Sequence, residues 1–105
     1  MQAINVHQLK ALIDSGDPHQ IIDIREYHEV DSGHINGCHI PMAEILERAA
    51  EIRRDIPVVL HCKSGARAQA AVCALETECG FANILLLEGG IEAWAREINP
   101  ELVVY

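Results

Sequence analysis

The chain has 105 residues, half of them apolar, and a net charge of −8. That length suits one domain around one core, and the charge speaks against nucleic acid and anionic membrane surfaces, which both require a basic face. No stretch has the length and apolarity of a signal sequence or a bilayer span, and four cysteines without a C-x-x-C pair or scaffold spacing fit a reducing compartment, so the cytoplasm is the expected location.

Asn5 and Gln8 have the spacing of a capping box. Val6, Leu9, Leu12 and Ile13 then share a helical face, and Ser15-Gly16-Asp17-Pro18 stops that helix. Ile21-Ile22-Asp23-Ile24 is a short apolar run bounded by polar residues, the pattern of a buried strand. Glu26 to Asp31 forms a short acidic turn of helix. Gly33 and Gly37 bracket a loop, and Cys38-His39-Ile40 reads as a very short strand ended by Pro41. Ala43 to Arg53 carries Ile45, Leu46, Ala49 and Ile52 at helical spacing, which predicts a helix. Pro57 resets the chain, and Val58 to His61 predicts the central strand. Arg67 to Cys79 follows as a helix with Ala68, Ala71, Val72, Leu75 and Cys79 on one face and Gly80 as its stop. Ile84 to Leu87 is the last clear strand, and Gly90 to Ile98 a short final helix before Pro100. This β–α alternation, with continuous rather than alternating apolar strands, predicts an α/β fold with a mainly parallel sheet and helices on both faces.

The segment with nameable chemistry lies between the central strand and the next helix, Cys62-Lys63-Ser64-Gly65-Ala66-Arg67. In open parallel sheets, sites lie beyond the carboxyl ends of the strands, and Cys62 stands there. A thiol in that place faces loop amides and the positive end of a helix, which favour the reactive thiolate. Gly65 permits the backbone angles that turn successive amides toward one centre, and Ser64 adds a hydroxyl. Lys63 and Arg67 put two cations beside the thiol of an acidic protein, which points to an anionic ligand; two solvated side chains are the plain alternative. A buried structural cysteine is the alternative for Cys62, and a loop tip that exposes its side chain argues against it.

The loop from Cys62 to Arg67 resembles the active-site loop of the rhodanese family of sulfurtransferases. Asp23-Ile24-Arg25-Glu26, followed by Gly33-His34-Ile35-Asn36-Gly37-Cys38-His39-Ile40-Pro41, is similar to the family's N-terminal signature. Glu88-Gly89-Gly90-Ile91-Glu92-Ala93-Trp94 is similar to its C-terminal one, where an aspartate is more usual before the glycines. The resemblance implies a single rhodanese-like domain over residues 1–105, with a central sheet of about five strands. It implies Cys62 as the catalytic nucleophile, which takes the sulfane sulfur of a donor such as thiosulfate and passes it on from a persulfide. Lys63, Ser64, Gly65, Ala66 and Arg67 are then the substrate-binding loop. Small sulfur donors and acceptors are the implied partners, with a sulfur-carrier or thioredoxin-like protein as a candidate acceptor. The tail from Asn99 to Tyr105 resembles the ending of rhodanese domains fused behind adenylating enzymes that serve such carriers. No cofactor and no metal is expected, because the His and Cys spacings fit no zinc pattern.

Asp23 and Arg25 are expected to form an ion pair that braces the loop after the first buried strand. Glu88-Gly89-Gly90 should let the chain pass close to the active-site loop, and Trp94 should be core. His61 should point away from Cys62, because neighbouring strand residues face opposite sides. Cys38, Cys73 and Cys79 read as small packing residues. Two rival functions remain. A cysteine phosphatase or arsenate reductase needs five residues between Cys and Arg, whereas four separate Cys62 from Arg67. A non-catalytic binding module usually lacks the cysteine that this chain keeps.

Overall fold

The computed structural model describes residues 1–105. Five parallel strands form one sheet in the order β1-β5-β4-β2-β3. They are β1 (Gln2–Ile4), β2 (Gln20–Asp23), β3 (Cys38–His39), β4 (Val58–His61) and β5 (Ile84–Leu87). Every strand pair is parallel, so each connection crosses over the sheet and the strands are covered on both faces. The four helices are α1 (Val6–Ser15), α2 (Tyr27–Ser32), α3 (Ala66–Cys79) and α4 (Gly90–Glu97).

The alternation of side chains along β4 divides the core. Val58, Leu60 and Cys62 belong to a cluster with Ala68, Ala71, Val72 and Leu75 of α3. Val59 belongs to a second cluster on the opposite face, with Val6 and Leu9 of α1 and Ile91 and Trp94 of α4. The helices therefore lie on both faces, as their apolar stripes require. No helix is long and apolar enough to cross a membrane.

Local signals account for most helix ends. Asn5 Oδ1 accepts from Gln8 N at 2.8 Å and Gln8 Oε1 accepts from Asn5 N at 2.9 Å, the reciprocal capping box expected for α1. α2 has only six residues, too short to stand alone in water. Its stability comes from the charged side chains gathered around it.

One expectation about elements needs correction. The segment from Ala43 to Arg53 is not an α-helix: it forms 3₁₀ turns at Met42–Glu44 and Ala49–Glu51. Ile45 and Ile52 are buried as the pattern demands, but Leu46 is left exposed. The segment is tied at one end by Met42 N to Ile24 O (2.9 Å). At the other, Gln20 Nε2 donates to Glu51 O (3.0 Å) and Arg53 N donates to Gln20 Oε1 (2.8 Å). It must run from the carboxyl end of the sheet back to the start of β4. A 3₁₀ turn covers about 2.0 Å per residue against about 1.5 Å for an α-helix, so the tethered span favours the tighter coil. The fifth strand, β1, is not announced by the short, largely exposed Gln2–Ile4 run. It exists through parallel pairing with β5, including Glu88 N to Ile4 O at 2.9 Å.

The lesser cysteines are also placed differently from expectation. Cys79 packs partly against the core, but Cys38 and Cys73 are exposed. Cys73 lies on the face of α3 turned away from Ala71, Val72 and Leu75. Cys38 sits on the edge strand β3, where only one neighbouring strand covers it.

Candidate active site

The carboxyl ends of β2, β3 and β4 meet at one edge of the sheet. Ile24 N donates to His61 O (3.0 Å), and Ile40 N donates to Asp23 O (3.0 Å). The chain leaves β4 at Cys62, turns through Lys63, Ser64 and Gly65, and enters α3 at Ala66. Gly65 has φ of +124°, a conformation that residues with a side chain rarely adopt, and this sharp turn folds the loop back over the thiol. Gly65 N and Ala68 N donate to Cys62 Sγ at 3.2 and 3.3 Å. The sulfur thus sits at the mouth of α3, with two backbone donors aimed at it and the positive helix end beside it.

Cys62 itself is 1% exposed. The sequence suggests a thiol displayed at a loop tip; the tip is instead Ser64, which is exposed, and the thiol lies at the base of the loop. The curl that brings the amides to the sulfur also covers it. None of the three clefts of the molecule is lined by Cys62. The largest, about 430 Å³, lies on the α1–α4 face between residues such as Ile21, His34 and Trp94.

A second segment holds the loop from behind. Ile91 N donates to Cys62 O (2.9 Å) and Glu92 N donates to Lys63 O (3.0 Å). A Cβ on Gly90 would stand 2.4 Å from Lys63 O and 2.7 Å from Cys62 O. The double glycine after Glu88 is therefore a close-approach device, as its sequence suggested.

The buried charges form a continuous group. Arg25 is fully buried; its Nη2 donates to Asp23 Oδ2 (2.8 Å) and to Gly33 O (2.7 Å), and its Nε to Asp23 Oδ1 (3.0 Å). Burial, the largest single influence, pushes the Asp23 carboxyl up, but the Arg25 side-chain and backbone hydrogen bonds together with the charges of His61 and Arg25 outweigh it, and the group is held below the usual carboxylate range. His61 is also fully buried and neither ring nitrogen has a hydrogen-bond partner. Burial lowers its pKa, with Asp23 opposing and Arg25 reinforcing. Its side chain shares the face of Asp23, its register partner, and not that of Cys62.

Residues 5–97 match the sequence profile of the rhodanese-like domain. The chain belongs to this family. A sulfurtransferase of Allochromatium vinosum is 43% identical over 81 residues, covering 76% of this chain and 75% of that protein. A probable adenylyltransferase/sulfurtransferase, MoeZ of Mycobacterium tuberculosis, is 34% identical over 105 residues and 97% of this chain. The chain spans only 26% of that relative's length. Among solved structures, a rhodanese-related protein of Thermoplasma volcanium superposes with a TM-score of 0.84 at 32% identity, each chain covered in full. A rhodanese-like domain protein of Staphylococcus aureus gives 0.84 at 28% identity over 100% of this chain and 99% of that one.

Within this rhodanese-like loop the two cations differ. Lys63 has no carboxylate partner, whereas Arg67 is engaged: its Nη1 and Nη2 donate to Glu29 Oε1 and Oε2 at 2.7 and 2.9 Å. Glu29 is 8% exposed and is further held by Glu26 N, 3.0 Å from its Oε1. The Arg67 bond first, and a bond from the Glu26 backbone after it, bring the Glu29 carboxyl down to about 2 against the opposing effect of burial. Sequence reading did not single out Glu29. The available signal was its spacing of three residues from Glu26 at a helix start, which marks a local cap and says nothing of a partner 38 residues away.

Proposed function

We propose that this rhodanese-like protein is a sulfurtransferase that carries sulfane sulfur as a Cys62 persulfide. One observation carries the reading: two backbone amides in contact with Cys62 Sγ at the junction of the central strand and α3. Such donors stabilise charge on a sulfur held at that point. The Cys62 thiolate attacks the outer sulfur of a donor such as thiosulfate. An Sγ–S bond forms, the donor S–S bond breaks, and sulfite leaves with the electron pair. An acceptor thiol or cyanide then removes the outer sulfur and regenerates the thiolate. Lys63 offers its free charge to the donor, and Ser64, Gly65 and Ala66 form the rim. Because Cys62 is 1% exposed, attack is accompanied by displacement of the Ser64 tip.

Protein acceptors fit the same site. The curated relatives include adenylyltransferase–sulfurtransferases and a putative sulfur carrier protein of Bacillus subtilis, which supports a sulfur-carrier protein as partner. The close amides also favour sulfur over phosphate chemistry, because a phosphoryl group brings three equatorial oxygens that each need a donor. Negligible aryl phosphate hydrolysis is expected from the same preparation.

The direct test is intact mass after incubation with thiosulfate. The wild type should gain one sulfur, lost again on treatment with a thiol reductant, and Cys62→Ser should gain none. An adduct that persists in Cys62→Ser, or that maps to Cys38, Cys73 or Cys79, refutes the assignment.

A further inference from the structure

Three features bear on how a donor would be held at Cys62. No cleft encloses a small molecule there, so charge must do the holding. The two cations of the loop are Lys63 and Arg67. Both arms of Arg67 are already filled by Glu29, itself nine-tenths buried and anchored by the Glu26 amide. A bidentate arginine–carboxylate pair is geometrically satisfied and electrically neutral. It has little left to offer a second anion, although the Arg67 side chain stays 37% exposed at the start of α3. The pKa of Arg67 is raised by the Glu29 bond first and by the fields of Cys62 and Glu26 after it, which places these groups in one electrostatic neighbourhood.

We propose that Glu29 determines donor specificity: by occupying Arg67 it turns the Cys62 site away from dianionic thiosulfate and toward monoanionic sulfane donors, persulfides and thiosulfonates. The inference rests on the sulfur-transfer reading of Cys62. With Arg67 neutralised, Lys63 supplies one unpaired positive charge, which suits a donor carrying one negative charge. A dianion meets that single lysine and the Cys62 thiolate together. The chemistry is the same for either donor. Sγ bonds to the outer sulfur, the donor S–S bond breaks, and the electron pair leaves with a sulfite, a sulfinate or a thiolate. No oxidant or reductant is consumed.

Thiosulfate and methanethiosulfonate separate the cases, because both deliver sulfane sulfur but differ in charge and oxygen count. Wild type should show a higher kcat/KM for methanethiosulfonate. Glu29→Gln keeps the shape and removes the charge, so Arg67 becomes available to oxyanions. The ratio should move toward thiosulfate by about tenfold, the scale of one charge-assisted hydrogen bond, and chiefly through KM. Adding Arg67→Met to Glu29→Gln should cancel the gain. If Glu29→Gln does not fold, as judged by circular dichroism, Glu29→Asp is used: its shorter arm cannot reach both guanidinium nitrogens, and a smaller shift of the same sign is expected. An unchanged donor ratio in the folded variant overturns the proposal while leaving Cys62 chemistry intact. Failure of both donors to place sulfur on wild-type Cys62 overturns the sulfur-transfer reading, and this inference with it.

Discussion

His61 shows how much a single buried residue can cost. It follows Leu60 on the central strand, lies next to Cys62 in sequence, and has no hydrogen-bond partner at either nitrogen. Burial, with Arg25 close by, holds it neutral despite the nearby Asp23 carboxylate at 3.9 Å. Its folded-state pKa lies below the ordinary histidine value of 6.5, so the unfolded chain takes up the proton first as pH falls. The stability tied to this group is complete above that value and is lost as pH drops toward the folded-state pKa. His61→Leu removes the proton uptake. Urea unfolding at about pH 7.5 and about pH 5.5 should show the variant gaining about 1 kcal/mol relative to wild type on acidification. An equal difference at both pH values would mean that His61 titrates normally in the fold.

The loop after β4 depends on a partner element that is remote in sequence. α4 starts at Gly90, where the backbone has φ of +60° and passes against the Cys62 and Lys63 carbonyls. A methyl group there meets main-chain oxygens, which cannot swing aside as a flexible side chain can. Gly90→Ala should therefore cost more than about 2 kcal/mol, the sum of a clash and an unfavourable backbone angle. Gly65→Ala meets nothing within 4 Å and should cost only the backbone strain, about 1–2 kcal/mol. Thermal unfolding of the two variants side by side checks the order; equal losses would contradict the close-approach role. The 3₁₀ segment teaches the opposite lesson. Its apolar spacing is helical, yet its ends are fixed by bonds to Ile24 and Gln20, and length to be spanned outweighs local preference.

Across the whole molecule, Arg25 is the piece that ties the carboxyl edge together. It links Asp23 at the end of β2, the Glu29 carbonyl of α2 (3.4 Å) and the Gly33 carbonyl after it. Gly33 is in turn packed against the tail, since a Cβ there would stand 2.3 Å from Val103 O. Asp23→Asn leaves a buried guanidinium without its counter-charge and should cost about 3–5 kcal/mol. In the double variant Asp23→Asn, Arg25→Met the stranded charge is gone, and part of the loss should return. Urea denaturation of the set tests this; a double variant no better than the single one would mean that Arg25 acts through its contacts to Glu29 and Gly33 rather than through the ion pair.

Much of this architecture is written in short-range pattern. Continuous apolar runs mark β2, β4 and β5, the Asn5–Gln8 spacing marks the start of α1, and the short Ser64-Gly65 loop between strand and helix marks Cys62. Those signals are local, so sequence alone determined the α/β class, the position of the nucleophile candidate and the Asp23–Arg25 pair. Tertiary structure decided the rest. β1 exists because β5 lies beside it, and the segment from Ala43 to Arg53 coils tightly because both its ends are anchored. Cys62 is buried because the loop folds back upon it. Above all, Arg67 meets Glu29 only when α2 and α3 come together at the sheet edge, and that distant pairing changes the charge the site presents. Residue types can say that two cations stand near a thiol; only the folded chain says which of them is free.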